Sequence, residues 1–188
     1  ALVRQGADTR LLQQWGCELI TGDLDQPSSL KAACENVSVI IHCAAKVGDW
    51  GPTDDYRRVN VEGTKALLDA ALLAGTLRRW VQISSLGVYE GRDHYGTDES
   101  TQPSTSGIDG YTLTKVESEL LVCDYIKTRS LPGVVLRPGF IYGPRDRTVL
   151  PRLLDRLQAG KFAFLGAPDK LMNNTFVGNL CTAIWLAI

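Results

Sequence analysis

Short apolar runs alternate with stretches of helical periodicity along most of the chain. Short, mainly apolar runs predict strands over 1–3, 18–21, 37–42, 80–83 and 134–136, and the run 37–42 is nearly continuously apolar and β-branched. Apolar residues at helical spacing separate them and predict helices over 11–15, 27–34, 54–74 and 111–129. A strand that is apolar on both faces is typical of a parallel sheet covered by helices on both sides. The pattern therefore predicts an α/β fold with a doubly wound parallel sheet.

The regular alternation of strand and helix patterns ends after Gly143-Pro144. The later pattern predicts a helix over 149–159, short strands over 162–165 and 174–177, and an apolar helical run over 180–188. We therefore divide the chain into a main domain, 1–145, and the start of a smaller substrate-binding portion, 146–188.

The segment from 111 to 129 carries both an apolar stripe and a candidate acid/base. Its apolar residues at helical spacing are Leu113, Val116, Leu120 and Cys123. We expect these four to be buried, with Tyr111 and Lys115 one turn apart on the opposite side. An ammonium beside a phenol favours the phenolate and lowers the pKa of the tyrosine. Such a tyrosine can exchange a proton with an alcohol. The plain alternative is an ordinary exposed helix face.

Composition narrows the class of partner. The 188 residues suffice for one substantial core, and a net charge of −1 gives no support for nucleic acid or an anionic membrane as partner. The chain contains no apolar run long enough to span a bilayer. Its two histidines lack neighbours of ligand type, so we predict no metal, and its five scattered cysteines suit reduced thiols in the cytoplasm. We expect a small-molecule substrate.

Ligands of open parallel sheets bind beyond the carboxyl ends of the strands. Arg4 follows the first predicted strand and suits a ribose 2′-phosphate, although a surface arginine fits equally well. Asp23, after the second, is either an acceptor for an adenine amino group or a turn former. The third, fourth and fifth strands are followed by Cys43-Ala44-Ala45-Lys46, Ser84-Ser85 and Arg137-Pro138-Gly139. We expect all five strand ends to open onto one edge of the sheet.

Taken in order, these segments resemble the extended short-chain dehydrogenase/reductase superfamily, also called the NAD-dependent epimerase/dehydratase family. The matching segments are Gly22-Asp23-Leu24, His42-Cys43-Ala44-Ala45, Val59 to Thr64, Ile83 to Tyr89, Tyr111 to Lys115 and Leu136 to Pro144. The resemblance implies a Rossmann-like fold and covers nearly the whole chain.

The resemblance also implies roles for individual residues. Ser85 matches the catalytic serine, Tyr111 the acid/base, and Lys115 its partner on the nicotinamide ribose. The remaining cofactor-binding positions that it implies are Asp23 and Leu24 at the adenine, Ala44, Ala45 and Lys46 along the cofactor's middle, Asn60 in support of the site, and Pro138, Gly139 and Ile141 beside the nicotinamide. Arg4 favours NADP over NAD.

The sequence departs from the family's pattern at its ends. The family's glycine-rich phosphate loop lies between its first strand and first helix, and this sequence begins after both. The chain also opens without Met and closes in an apolar helical run. We therefore expect a fragment that lacks the first strand and helix, and its ability to bind cofactor alone is in doubt.

The segment from Ala44 to Pro52, followed by Asp55-Tyr56, is similar to the 3β-hydroxysteroid dehydrogenase-like branch. That branch implies an NAD(P)-dependent oxidoreductase for a secondary alcohol or ketone, with a sterol-like or lipid-like substrate. Trp50 is then either a wall of an apolar pocket or a packing residue. The alternatives are a nucleotide-sugar epimerase or dehydratase, a non-catalytic dinucleotide-binding protein, and an inactive fragment. A homodimer is a further expectation.

Overall fold

The computed structural model describes residues 1–48, 50–106, 109–147, 149–163 and 170–188. The strands are β1 (Leu2–Val3), β2 (Ile20–Thr21), β3 (Val39–His42), β4 (Arg79–Ile83), β5 (Gly133–Leu136), β6 (Phe140–Tyr142) and β7 (Asn174–Phe176). The helices are α1 (Arg10–Gln14), α2 (Pro27–Cys34), α3 (Thr53–Arg57), α4 (Gly63–Ala74), α5 (Gly110–Arg129), α6 (Val149–Gln158) and α7 (Val177–Ala187). Strand and helix alternate as predicted, and β6 is an additional strand that the sequence pattern did not reveal.

All the strand pairs in the described residues are parallel. The strands β3, β4 and β5 form one ladder in that order, with Ile40 opposite Trp80 and Trp80 opposite Gly133. The pairs β1–β2 and β6–β7 form two further ladders. Parallel neighbours end at the same edge, so the predicted clustering of strand ends holds within each ladder.

The core lies between these strands and the helices α2, α4 and α5. Trp80 of β4 and Leu68 of α4 are fully buried, as are Leu30 of α2 and Val122 of α5. Side chains of this size contribute roughly 1.5–3 kcal/mol each when they leave water. Their joint burial fixes α5 against the strand ends.

The predicted long helix over 54–74 is continuous but not uniform. Between α3 and α4 the residues Arg58–Glu62 form a π-helical stretch, which brings Asn60 into the interior. Such stretches are rare and are frequent at functional sites. Here the stretch directs a polar side chain toward α5.

The buried stripe predicted for α5 is only partly correct: Val116 is buried, and Leu113 and Cys123 are half-buried. Leu120 is 41% exposed, whereas Lys115, Ser118 and Glu119 are buried. The helix turns a polar face inward because that face finds hydrogen-bond partners in the strand ends and in the preceding helix. Apolar spacing cannot reveal a face that polar contacts stabilise.

The C-terminal part exposes more of its apolar surface. Neither α6 nor α7 has a buried residue. Residues 162 and 163 of the predicted strand 162–165 are irregular, and the other two lie outside the described residues. Within the described parts of the chain, no helix has the length and apolar character needed to cross a membrane.

Candidate active site

Two ladders present the residues predicted at strand ends. Ala44, Ser85 and Pro138 follow β3, β4 and β5, so they lie along one edge of that ladder. Arg4 and Asp23 follow β1 and β2 and line one depression of about 390 Å³. The parallel register therefore brings each group together.

The helix that carries Tyr111 begins at a well-formed cap. The backbone N–H of Thr112 donates to Asp109 Oδ1 at 2.7 Å, and the N–H of Asp109 donates to Thr112 Oγ1 at 3.1 Å. This reciprocal pair is a capping box, as the predicted start at Asp109-Gly110 requires. It fixes Tyr111 in the first turn, where its ring is half-buried.

The expected lowering of the Tyr111 pKa by Lys115 is wrong in this structure. Burial raises the pKa of Tyr111, and the charge of Asp109 raises it further. Lys115 instead donates its Nζ hydrogen to the carbonyl of Ile83 at 2.6 Å. The lysine therefore binds the end of β4, and its burial in this place could not be read from the spacing of the pair.

Lys115 is held among groups from two strands. Burial lowers the pKa of its ammonium, while Glu119 and Cys43 act in the opposite direction. An ammonium has three donors, and the bond to Ile83 uses one. The lysine thus links α5 to the strand end that precedes Ser85.

Ser85 lies in a turn that packs against the helix of Tyr111. Its Oγ accepts from the N–H of Gly87 at 3.0 Å and caps a 3₁₀ turn, Leu86–Val88. A Cβ placed on Gly87 would lie 3.1 Å from Thr112 Cγ2. This close approach joins the serine turn to the first turn of α5, so the residues that match the catalytic set converge.

Asn60 is bound entirely by the protein. Its Oδ1 accepts from the N–H of Lys46 at 2.7 Å, and its Nδ2 donates to the Lys46 carbonyl at 3.1 Å and to Thr114 Oγ1 at 3.0 Å. The asparagine therefore ties the loop after β3 to α5. This arrangement fits support of the site better than direct contact with a cofactor.

The adenine end of the predicted site needs two adjustments. Asp23 Oδ1 accepts from the N–H of Asp25 at 3.2 Å, so the carboxylate shapes its own turn. Leu24 is 7% exposed and belongs to the core, so its side chain packs inside the protein. Arg4 is exposed and lines the same depression as Gly22 and Ser29.

The turn after β5 packs closely against two other segments of the chain, at Leu86 and Asn173. The carbonyl of Pro138 accepts from the N–H of Leu86 at 2.9 Å. A Cβ on Gly139 would lie 2.0 Å from the carbonyl oxygen of Asn173, so only glycine fits there. The close approach predicted at this turn is therefore made by residue 173, whereas Ile141 remains 38% exposed.

The loop after β3 presents Trp50 to solvent. Tyr56, which is 2% exposed, donates its hydroxyl to the carbonyls of Gly48 and Trp50 at 3.1 and 2.9 Å. Its ring packs against Gly110, where a Cβ would lie 3.1 Å from Tyr56 Cδ2. The Trp50 side chain is 93% exposed, so it does not take the packing role that the sequence allowed. Its backbone is anchored beside the residue that precedes Tyr111.

Sequence reasoning missed a polar cluster at the same strand ends. Glu119, one turn beyond Lys115, accepts from Ser84 and Arg137 while almost fully buried. The available signal was a carboxylate four residues after the lysine, on the same helix face.

Comparison with known proteins identifies the family. A model of the 3-beta hydroxysteroid dehydrogenase/isomerase family matches residues 5–188. The 2-alkyl-3-oxoalkanoate reductase of Shewanella oneidensis is 32% identical over 183 residues, which cover 94% of this chain and 47% of that protein. The decarboxylating sterol-4-alpha-carboxylate 3-dehydrogenase of Mus musculus is 31% identical over 180 residues, or 95% and 48% of the two chains.

A solved structure agrees with these matches. DesIV, a dTDP-glucose 4,6-dehydratase from Streptomyces venezuelae with NAD and TYD bound, has a TM-score of 0.78 and 25% identity, covering 97% of this chain and 56% of that one. The likeness confirms the Rossmann-like fold. This chain spans about half the length of the curated relatives it matches. By the family model and by these relatives, the chain belongs to the 3-beta hydroxysteroid dehydrogenase/isomerase family.

Proposed function

We propose that the protein is an NAD(P)-dependent oxidoreductase that transfers a hydride to or from a secondary alcohol or ketone. The observation that carries this proposal is the convergence of Ser85, Tyr111 and Lys115. The serine turn packs on Thr112, beside Tyr111, and Lys115 binds the carbonyl of Ile83, two residues before Ser85. The two named oxidoreductase relatives support the same chemistry.

Each of the three residues has a distinct role in this reaction. The phenol of Tyr111 moves the proton at the substrate oxygen, and the hydroxyl of Ser85 holds that oxygen. The remaining donors of Lys115 would bind ribose hydroxyls of the cofactor. A bound nicotinamide supplies the hydride chemistry, while this chain orients it.

The depression beyond β1 and β2 fits the adenosine end of a dinucleotide. Arg4 is exposed at this depression and matches a 2′-phosphate, because a guanidinium can bind phosphate through two parallel hydrogen bonds. We therefore propose NADP in preference to NAD. The related DesIV structure contains NAD, so both cofactors belong in the assay.

The substrate we propose is apolar and lipid-like, in the manner of a 3-hydroxy or 3-oxo sterol. The indole of Trp50 is exposed on a loop that Tyr56 fixes against the start of α5. An exposed indole on this loop offers apolar area to a ligand that reaches the start of α5. The two relatives are a reductase of alkyl-oxoalkanoates and a sterol dehydrogenase, which supports this class.

The nearest alternative is a nucleotide-sugar epimerase or dehydratase, and the fold of DesIV favours that alternative. The two reaction types differ in their cofactor balance. An oxidoreductase changes the nicotinamide absorbance stoichiometrically with product, whereas an epimerase returns its cofactor unchanged. A non-catalytic dinucleotide-binding protein would bind cofactor without either change.

The test uses the full-length protein with NADPH and NADH. A panel of 2-alkyl-3-oxo acids and 3-oxosterols is set against dTDP- and UDP-sugars, and nicotinamide absorbance is followed beside product formation. Stoichiometric oxidation with an apolar ketone supports the proposal. Sugar conversion without net absorbance change would overturn it. A Trp50→Ala variant should raise KM for the apolar ketone several-fold, with the affinity for cofactor unchanged.

The division at residue 145, the homodimer and the cytoplasmic location also remain proposals. We assign residues 146–188 to the substrate side, because β7 in that segment pairs with β6, which directly follows the turn at Gly139. Its exposed apolar residues suit a region that meets an apolar ligand.

A further inference from the structure

A buried ion-pair network lies at the strand ends, next to the convergent residues. Glu119, which is 1% exposed, accepts at Oε1 from Arg137 Nε at 3.0 Å and from Nη2 at 2.5 Å. Its other oxygen, Oε2, accepts from Ser84 Oγ at 2.5 Å. Both carboxylate oxygens are therefore engaged, as a buried charge requires.

The same network reaches the loop beyond Ser85. Arg137 Nη1 donates to the hydroxyl of Tyr89 at 2.6 Å, and that hydroxyl donates to the carbonyl of Asp98 at 3.1 Å. The guanidinium also lies over the Tyr89 ring, 5.0 Å from its centroid. Hence one arginine connects the end of β5, helix α5 and the segment that follows the serine turn.

Ser85 lies between these fixed points. Ser84 precedes it and is bound to Glu119, while Tyr89 follows four residues later and is bound to Arg137. Tyr111 and Lys115 belong to the helix that carries Glu119 itself. A displaced carboxylate would therefore shift the serine turn relative to the tyrosine, since both are fixed through α5.

We propose that the Glu119–Arg137 pair positions the Ser85 turn against Tyr111 and Lys115 for the reaction. The inference deepens the proposed function and depends on it for its catalytic consequence. Neither residue is assigned contact with substrate or cofactor. Each acts through Ser84 and Tyr89.

A second consequence follows from the charge of Glu119. Three titratable groups face Lys115. Glu119 lies on the same helix, and His42 and Cys43 lie at the end of β3. Burial lowers the pKa of the lysine, and Glu119 opposes that shift. Replacing the carboxylate by an amide removes this opposition, so Lys115 should lose its proton at a lower pH.

The test compares three variants of the full-length protein. Ser84→Ala cuts the link to the serine turn and leaves the ion pair intact, whereas Glu119→Gln removes the charge. Glu117→Gln is the matched control, because Glu117 pairs with Arg57 through bonds of 2.8 and 3.0 Å, two residues from Glu119 on the same helix. We measure kcat, KM, cofactor affinity and the pH profile of kcat.

Both network variants should lower kcat about tenfold, with KM and cofactor affinity within about twofold of wild type. Only Glu119→Gln should move the alkaline limb of the profile to lower pH. The control should match the wild type in every measurement. Ser84→Ala decides the case if Glu119→Gln fails to fold. Unchanged kcat in a folded network variant would overturn the proposal.

Amide hydrogen exchange provides a reading that needs no turnover. Exchange at Gly87, Val88 and Tyr89 should become about tenfold faster in Ser84→Ala and Glu119→Gln, and stay unchanged in Glu117→Gln. If the wild-type protein turns over none of the substrates, the proposed function is wrong. The exchange rates then still test whether the Glu119–Arg137 pair positions the Ser85 turn. Unaltered exchange in both network variants would refute it.

Discussion

Helices α5 and α7 differ in which kinds of residue they bury and which they expose. In α5, seven residues are buried and most of them are polar or charged, whereas α7 contains Trp185 and Leu186 at 77% and 80% exposure. Polar residues are buried where strand ends and a neighbouring helix supply hydrogen bonds. Apolar residues stay exposed where the described part of the chain offers no cover. Burial therefore follows the available partners more closely than it follows residue type.

The largest effect is expected in the first turn of α5. Tyr111→Phe keeps the ring and its packing but removes the hydroxyl, so hydride transfer should fall by roughly 10²–10⁴-fold. Cofactor affinity should stay close to wild type. The measurement is single-turnover oxidation of the nicotinamide in the full-length protein.

The matched control for this variant is Tyr95→Phe. Tyr95 is 77% exposed in the loop between β4 and α5, so its loss of a hydroxyl should leave the rate unchanged. Near-normal turnover in Tyr111→Phe would remove the acid/base assignment. Equal losses in both variants would point to a cause other than proton transfer.

A second prediction applies one substitution to both kinds of environment. Leu68→Ala in α4, where the side chain is fully buried, should lower the free energy of unfolding by about 2–5 kcal/mol. Leu186→Ala in α7 should change it by less than about 0.5 kcal/mol. Urea unfolding of the two variants beside wild type gives both numbers. A large loss from Leu186→Ala would show that α7 is covered in solution, and the contrast would disappear.

A third prediction concerns a neutral group buried in the polar region. Burial, and to a lesser extent Lys115, lowers the pKa of His42 from 6.5 to about 4. Below pH 6.5 the imidazole of His42 is therefore protonated in the unfolded chain but stays neutral in the folded chain until the pH approaches 4. Stability from this group is complete above pH 6.5 and falls as the pH drops toward 4, by about 3 kcal/mol in total.

Urea unfolding at several pH values between 4 and 7.5 checks this slope. His42→Asn should flatten it, while His94→Asn, the same substitution in the loop of Tyr95, should keep it. A wild-type slope that survives in His42→Asn would assign the pH dependence to other groups.

The sequence predicted the parallel α/β fold and the order of its elements well. The run 37–42 is nearly continuously apolar and β-branched, and Asp109 marks the start of α5 as its N-cap residue. Periodicity failed for the facing of α5, because Glu119 and Lys115 are buried by partners that are distant in sequence. It also missed β6, whose three residues are all exposed.

The candidate site was predictable in outline and less so in detail. The position of Ser85 at a strand end follows from the parallel pattern. Two details depend on contacts between segments that no local pattern encodes. They are the hydrogen bonds of Asn60 to Lys46 and Thr114, and the close approach of Asn173 to Gly139.

The smallest effect is expected at an exposed residue that has a functional assignment. Arg4→Ala should weaken NADP binding about tenfold and leave NAD binding unchanged, because a charge-assisted contact to the 2′-phosphate at an exposed site contributes about 1.5 kcal/mol. The control is Arg10→Ala, since Arg10 pairs with Asp8 at 2.7 Å and is 88% exposed. Both affinities are measured by titration of the full-length protein. If Arg4→Ala binds NADP as wild type does, Arg4 is an ordinary surface arginine.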